Sequence, residues 1–490
     1  MKNYKKIYAA FILAGGLILH GCNGIFDDLS INPNQPSMGA YFTSPSAVND
    51  AVMTMYGYMS TQRCLGASGS KTTIIRSDEA SSNSDYGKPG MFGADLNASY
   101  YTIEQPYTLM YTTASQASYI IETAPSVDFS GNEELRNAYM GEAYFWRAFA
   151  HYYLLINFRN ISPIRQMPRN GDDYVRPLEK PAAVWNFIQE DLAHAKELLP
   201  VKGYWDSKNA GRVTKASAAA LLGKAYLYRS GIEQYYGEDK TTFYSEAAKE
   251  FGDVIDGKYG TYDLTKNYAD NFDVAHENNE ESILEFQFLG DVDNAGFNPG
   301  LATSGLAFDS RGLMLPGAGV GYEGVVHNWL YNAFVNSIDK DGYTDIRMFS
   351  TMIFNDLDAS IHLRNDAGGN PVRLEGPGGY KWEELYPAKN GKEGFATVSN
   401  PLAHSFKAGI RKGIDCSMPT QTEADGTPKL VGVGAGVKEY VYNQPRAHGV
   451  NWRYIRYADV LMMYAEAVVS GGTQASNMTP LQAVNKVRGR

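Results

Sequence analysis

The feature that most constrains this chain is a pattern of small and bulky residues that recurs at helical spacing. Leu222, Gly223 and Tyr226 lie on one predicted helix, and Ala247 and Phe251 lie on the next. Where two helices cross closely, only small side chains fit at the contact, and bulky ones fill the gaps between successive pairs. The pattern therefore predicts stacked helix pairs.

The spacing is that of the tetratricopeptide signature, and it occurs more than once. The first half recurs at 140–144, and a weaker copy lies at 464–467, followed by Ala483 and Val487. Ordinary packing of amphipathic helices is the alternative explanation for any one match. Three matches at helical positions favour the repeat.

Start and stop signals bound the predicted helices. Proline is favoured in the first turn, Thr or Ser at the N-cap, and Gly just past the end. On these signals we predict a helix over 132–157 and another over 182–199, between Pro181 and Pro200. A third runs over 215–229, with Thr214 as its N-cap and Gly231 just past its end. Two more run from Thr241 or Thr242 to about 256, and from Thr479 and Pro480 onwards.

Residues 257–456 do not continue the repeat. They are rich in Gly, Asn, Asp and aromatic residues, with short strand-like pieces such as 282–289. Irregular segments of this length in folded proteins are usually functional. The predicted fold class is therefore mostly α: a tetratricopeptide-like helical-repeat scaffold, with helices at about 40–256 and 457–490, and a long irregular insertion containing short strands.

The amino terminus is typical of an export signal. Three lysines precede an apolar run at 7–19, which is too short to span a bilayer and fits a signal peptide. The run ends at 19–22 in Leu-His-Gly-Cys, which resembles the lipobox of bacterial lipoproteins. We expect residues 1–21 to be removed and Cys22 to carry a lipid, leaving 22–490 as one domain. An ordinary signal peptide followed by a chance cysteine is the alternative.

Charge and cysteine content narrow the classes of partner. A net charge of −10 argues against a nucleic-acid partner, because phosphate binding requires clustered Lys and Arg. Besides Cys22, the chain has only Cys64 and Cys416. In an oxidising compartment these could pair, but the sequence does not bring them together, and two buried free thiols are equally consistent with it.

Several segments together resemble the SusD/RagB family. They are RAFAHYYLL at 147–155, GRVTKA at 211–216 leading into ALLGKAYL at 220–227, RYADVLMMYAEA at 456–467 and NKVR at 485–488. Their order also fits: lipobox, repeat helices, long insertion, final helices. Family members usually continue with another repeat helix beyond the point where this sequence stops, at Arg490, so we expect a truncated sequence.

The resemblance implies a function without catalysis. It implies a lipid-anchored protein exposed at the surface of the outer membrane, acting as a lid on a TonB-dependent transporter of the SusC type. Such a protein captures an oligosaccharide, or less often a peptide, and delivers it for import. No enzyme activity and no cofactor are expected.

Two regions hold the groups that a sugar-binding site requires. A flat aromatic face lies against a sugar ring, while amides and carboxylates bond its hydroxyls. A polar loop near the amino terminus and the aromatic residues of the insertion supply both kinds of group, and we expect at least two of them at the site. The candidate ligand-binding residues are Asp78, Asn83, Asp85, Tyr86, Tyr322, Trp329 and Trp382.

Other motifs have plainer explanations. The G-x-G-x-x-G match at 319–324 lacks a βαβ unit, and the segment 276–280 lacks the second histidine of a zinc helix. The segment 339–345 has oxygen ligands for a hard cation, but its glycine comes too early for a calcium loop. We therefore predict a loop at 319–324, no metal site at 276–280 and a solvated turn at 339–345.

Two rival functions remain open. A surface glycoside hydrolase would need two carboxyl groups roughly 5–9 Å apart across a cleft. An assembly scaffold is the other, because repeat surfaces commonly bind proteins.

Overall fold

A computed structural model of the chain gives the placement of much of its length. It describes residues 42–61, 63–66, 68–69, 73, 76–81, 98–167, 169, 173, 175–237, 239–288, 308–309, 325–354, 359–372, 408–410, 424, 430–432, 438–440, 447–448 and 450–489. No helix within these ranges is long and apolar enough to cross a membrane.

Successive helices pack against one another to form the scaffold. They are α1 (Pro45–Ser60), α2 (Tyr101–Thr123), α3 (Glu133–Phe158), α4 (Pro181–Leu198), α5 (Lys215–Tyr236), α6 (Tyr244–Ile255), α9 (Tyr457–Val469) and α10 (Pro480–Arg488), with α7 (Asn328–Val335) and α8 (Arg347–Thr351) lying between α6 and α9 in the chain. Each scaffold helix contacts the next, and α6 packs directly on α9. The fold is thus mostly helical and of the predicted repeat type, and the irregular insertion leaves the stacking order intact.

Glycines sit where the paired helices cross, as the repeat pattern predicts. A Cβ on Gly223 of α5 would lie 2.7 Å from a ring carbon of Phe251 on α6. A Cβ on Gly141 of α3 would lie 2.9 Å from Leu199, just past the end of α4. Side chains cannot approach so closely, so both crossings depend on glycine.

Two predicted helix boundaries are wrong. Helix α5 does not end at Gly231 but continues to Tyr236 and stops at Gly237, whose φ of 70° suits glycine. An exposed glycine inside a helix costs only about 1 kcal/mol, and Ser230 and Glu233 on either side of Gly231 are buried on the scaffold, so packing continues the helix past the glycine.

Helix α6 begins at Tyr244 rather than at Thr241 or Thr242. The carboxylate of Asp239 accepts the Thr241 N–H at 2.9 Å, and the Ser230 hydroxyl accepts the Phe243 N–H at 2.8 Å. These bonds hold the chain in a turn before the helix can start.

A buried ion pair joins three parts of the scaffold. The Arg212 guanidinium donates to both oxygens of Glu142 on α3, with Nε 2.8 Å from Oε1. The Tyr56 hydroxyl of α1 donates to the same Oε1 at 2.6 Å and accepts the Val213 N–H at 2.9 Å. Burial raises the pKa of Glu142, and the bonds from Arg212 and Tyr56 oppose that rise. The loop before α5 is thereby fixed to α1 and α3.

His151 is buried in α3 as a neutral ring. Its Nε2 accepts the Ile164 N–H at 2.9 Å, so the proton is on Nδ1, which donates to the Arg147 carbonyl at 2.7 Å. Burial lowers the pKa of His151 to about 3. Protonation would break the bond to Ile164.

An antiparallel strand pair connects the insertion to the scaffold. Strand β2 (Ser282–Phe286), shorter than the predicted 282–289, pairs with β10 (Trp452–Arg456) just before α9. The Phe286 ring lies 5.7 Å from the ring of Phe149 on α3. The chain therefore leaves and rejoins the scaffold at one place.

The remaining strands are short. They are β1 (Ala80–Ser81), β3 (Phe308–Asp309), β4 (Val325–Val326), β5 (Met352–Phe354), β6 (Ala408–Ile410), β7 (Leu430–Gly432), β8 (Lys438–Tyr440) and β9 (Ala447–His448). Strand β3 pairs with β9, and β7 pairs with β8, both antiparallel. The other four form one sheet, in the order β1-β4-β6-β5.

Candidate functional site

The four-stranded sheet brings together the two candidate ligand-binding regions. Strand β1, from the amino-terminal polar loop, pairs antiparallel with β4 of the insertion, with Ala80 opposite Val326 and Ser81 opposite Val325. The Glu79 carbonyl also accepts the His327 N–H at 2.9 Å. The chain on either side of these strands therefore converges on one edge of the insertion.

Helix α7 turns one aromatic residue outward and another inward. It starts directly after β4, with Trp329 in its first turn. Residues two apart on an α-helix lie about 200° apart around its axis, so Trp329 and Tyr331 face opposite sides. Tyr331 is 2% exposed and lies 6.3 Å from the ring of Phe354 on β5, whereas Trp329 is 50% exposed. The buried tyrosine holds the helix on the sheet, and the tryptophan is presented to solvent.

The exposed tryptophan is fixed by a hydrogen bond to the other candidate region. Its indole Nε1 donates to the Asp78 backbone carbonyl at 2.7 Å, joining residues 251 positions apart. The bond uses the ring's single donor and does not occupy its π face. A ring held in this way loses little conformational freedom when a ligand stacks on it.

Asp78 and Trp329 are the two predicted site residues within the described ranges, and the structure places them in contact. Asn83, Asp85, Tyr86, Tyr322, Trp382 and the proposed lipid-bearing Cys22 lie outside those ranges. The backbone hydrogen bond between Glu79 and His327, which holds the two regions together, was not among the predicted contacts. Backbone pairing leaves no residue-type signal that could have revealed it.

Two acidic residues adjoin the hydrogen bond to the tryptophan. Asp78, whose carbonyl accepts that bond, and the next residue, Glu79, both have exposed side chains. The Glu79 N–H donates to the Ser77 hydroxyl at 3.2 Å, which fixes the backbone of this turn. The site thus combines a flat aromatic face with hydrogen-bond acceptors.

The segment 339–345 is a turn, as predicted. Asp339 Oδ1 accepts the N–H groups of Asp341 at 2.8 Å and Tyr343 at 3.0 Å, and Arg364 pairs with the same carboxylate. The bond from the Tyr343 N–H is the main cause of the lowered pKa of Asp339. Within the part of the chain that the structure describes, no cluster of three His, Cys, Asp or Glu residues could hold a metal ion.

Cys64 is buried and forms no disulfide, while Cys416 lies outside the described ranges. Burial raises the pKa of the Cys64 thiol to about 12. A thiol in this environment is unreactive, because only the thiolate is nucleophilic.

The stacked helix pairs and the glycines at their crossings define a tetratricopeptide-like repeat protein. Comparison with known proteins gives the family. The family described as starch-binding and associating with the outer membrane matches residues 28–227, and the SusD family matches residues 420–490. The chain belongs to the SusD/RagB family.

Individual relatives agree with this assignment. A SusD-like protein of Bacteroides ovatus is 25% identical over 293 residues, which are 59% of this chain and 51% of the relative. The chain thus spans about half the length of that relative.

Solved structures show the same fold. A SusD superfamily protein from Bacteroides vulgatus superposes with a TM-score of 0.62 at 20% identity, over 92% of this chain and 80% of that one. A laminarin-binding SusD-like protein gives 0.60 at 20% identity, over 91% and 85%.

Proposed function

We propose that this chain is a non-enzymatic surface glycan-binding lipoprotein that captures oligosaccharides and delivers them to a SusC-like TonB-dependent transporter. The observation that carries the proposal is the contact between Trp329 and Asp78, which fixes an exposed indole ring at the junction of two polar loops. Family membership supports it, and so does the laminarin-binding protein of the same fold.

The geometry suits a sugar better than a flat apolar ligand. A pyranose ring presents C–H groups on its faces and hydroxyls around its rim, so it needs one aromatic face and several acceptors or donors around that face. Trp329 supplies the face, and Asp78 and Glu79 supply acceptors beside it.

Four further candidates belong to the same proposed site because the chain tethers each of them to a paired strand within five residues. Asn83 follows the end of β1 by two residues, and Tyr322 precedes β4 by three. Asp85 and Tyr86 follow the end of β1 by four and five residues. Trp382 has no such tether, and its assignment rests on its residue type alone.

The anchor and the location form the second part of the proposal. Cys22 carries the lipid after residues 1–21 are removed, which places the protein on the outer membrane beside its transporter. The association with the outer membrane in the family description supports this placement. Replacing Cys22 with alanine should abolish incorporation of labelled palmitate and release the protein from the membrane fraction. Palmitate incorporation that persists in Cys22→Ala would refute the anchor.

Titration calorimetry against purified oligosaccharides tests the capture function. We would titrate residues 23–490 with laminarin oligosaccharides, xyloglucan oligosaccharides and a peptide mixture, then analyse the products by chromatography. We expect saturable heat with an intact oligosaccharide. Replacing Trp329 with alanine should weaken that binding at least tenfold, because the stacking surface is removed.

A matched variant separates a site effect from general loss of aromatic surface. Tyr235 on α5 is 84% exposed, so Tyr235→Ala removes an exposed ring elsewhere and should leave the affinity unchanged. Equal effects of the two substitutions would overturn the site. Cleaved products would establish a hydrolase instead, and heat with peptides alone would indicate peptide capture.

A further inference from the structure

Within the described residues, no cation forms an ion pair with the carboxylates of Asp78 and Glu79. Asp78 contacts Trp329 through its backbone carbonyl, and Glu79 lies next to it in the turn before β1. No ion pair links either carboxylate to a Lys, Arg or His anywhere in the described residues. A ligand lying on the Trp329 ring therefore approaches two exposed carboxylates that no described cation pairs with.

The one basic residue described in that loop, Arg76, forms no ion pair with either carboxylate within the described residues. Its charge also acts on the phenol of Tyr153 in α3, where burial raises the pKa of the tyrosine and Arg76 opposes the rise. The composition of the loop points the same way. Between positions 76 and 97 there are four acidic residues, Asp78, Glu79, Asp85 and Asp95, and two basic ones, Arg76 and Lys88.

We propose that the site selects neutral oligosaccharides and rejects those carrying uronic acid or sulfate groups, with Asp78 and Glu79 as the specificity-determining residues. This inference rests on the proposed function. Carboxylates accept hydrogen bonds from sugar hydroxyls, so they favour a neutral ligand. They repel an anionic one, since no cation in the described part of the site offsets the charge.

The test uses one glycan in two charge states. The neutral oligosaccharide that binds the wild-type chain is compared with its lightly carboxymethylated derivative, at low ionic strength and in EDTA. The double variant Asp78→Asn/Glu79→Gln keeps the shape of both side chains and removes their charge. The matched control is Glu190→Gln/Glu197→Gln, which removes two exposed carboxylates from α4.

We expect the wild-type chain to prefer the neutral ligand. In Asp78→Asn/Glu79→Gln the preference should fall by about three- to tenfold, the size expected for two nearby charges near a protein surface. The control should keep the wild-type ratio. In 1 M salt, where the Debye length is about 3 Å, the wild-type ratio should approach that of the variant.

The outcomes distinguish a failure of the proposed charge selectivity from a failure of the proposed glycan capture. Equal or tighter binding of the carboxymethylated ligand by the wild-type chain overturns the inference and leaves glycan capture standing. The same holds if the two double variants show the same ratio, or if added Ca²⁺ reverses the preference, because a bridging cation would then set specificity. An absence of binding to every oligosaccharide overturns the proposed function and the inference with it.

Discussion

Replacing Gly223 with alanine tests whether the helix crossing, rather than helix propensity, determines the residue at that position. Alanine stabilises a helix by about 1 kcal/mol relative to glycine. At Gly223, however, the added Cβ lies 2.7–3.0 Å from three ring carbons of Phe251, whose side chain is fully buried. Helix α6 must shift or the ring must leave its rotamer, which costs about 1–3 kcal/mol.

Helix α5 contains its own control. Gly231 lies on the same helix, and a Cβ there meets nothing within 4 Å. Gly231→Ala should therefore stabilise the protein by about 0.5–1 kcal/mol, and Gly223→Ala should be about 1–3 kcal/mol less stable than Gly231→Ala. Urea unfolding followed by far-UV circular dichroism measures both free energies of unfolding.

A smaller partner should relieve the clash. In a Phe251→Leu background the Gly223→Ala substitution should lose most of its cost, giving a coupling free energy of about 1 kcal/mol or more. If Gly223→Ala matched or exceeded Gly231→Ala in stability, glycine would not be required at the crossing. The physical interpretation of the repeat signature would then be refuted.

Three further outcomes follow from the buried polar groups. The pKa of His151 is about 6.5 in the unfolded chain and about 3 in the folded one. Its contribution to the free energy of unfolding is therefore complete above pH 6.5 and is lost as pH falls towards 3. The wild type should therefore lose about 2 kcal/mol more than His151→Gln between pH 7 and pH 5 in denaturant titrations; equal losses would count against the buried neutral ring. Glu142→Ala, which strands the buried Arg212, should lower the free energy of unfolding by about 3–5 kcal/mol, and a cost below 1 kcal/mol would disprove the link. In residues 23–490 carrying Cys416→Ser, Cys64 is the one remaining thiol and should react with a thiol reagent only on unfolding; rapid reaction of the native protein would contradict its burial.

The sequence is most informative where one side-chain pattern decides the structure. Helices α3 and α4 follow their predicted ranges within a residue or two, and α10 begins at the predicted Pro480. In all three, the apolar periodicity and the proline or cap signals coincide. The errors occur at α5 and α6, where two signals disagree. At Gly231 a local stop signal competes with burial on both sides, and the tertiary contacts prevail.

The candidate site shows a different limit. Asp78 and Trp329 were predicted as site residues from residue type, since polar groups and aromatic rings are what a sugar requires. Their contact depends on the pairing of β1 with β4, two strands of two residues each. A strand so short has no alternating pattern, and its partner is chosen by backbone hydrogen bonds that any residue can form.

The position of the insertion explains how residues of the candidate site can be substituted while the packing of the helical scaffold is preserved. Helices α6 and α9 pack on each other as direct neighbours, although the whole insertion lies between them in the chain. The β2–β10 pair closes the insertion at its base, where Asn451 donates to Glu285 and Gln287, both at 2.9 Å. Substitutions around Trp329 should therefore change ligand preference with little effect on the stability of the helical repeat, since binding loops on a rigid scaffold tolerate change that the packed core does not.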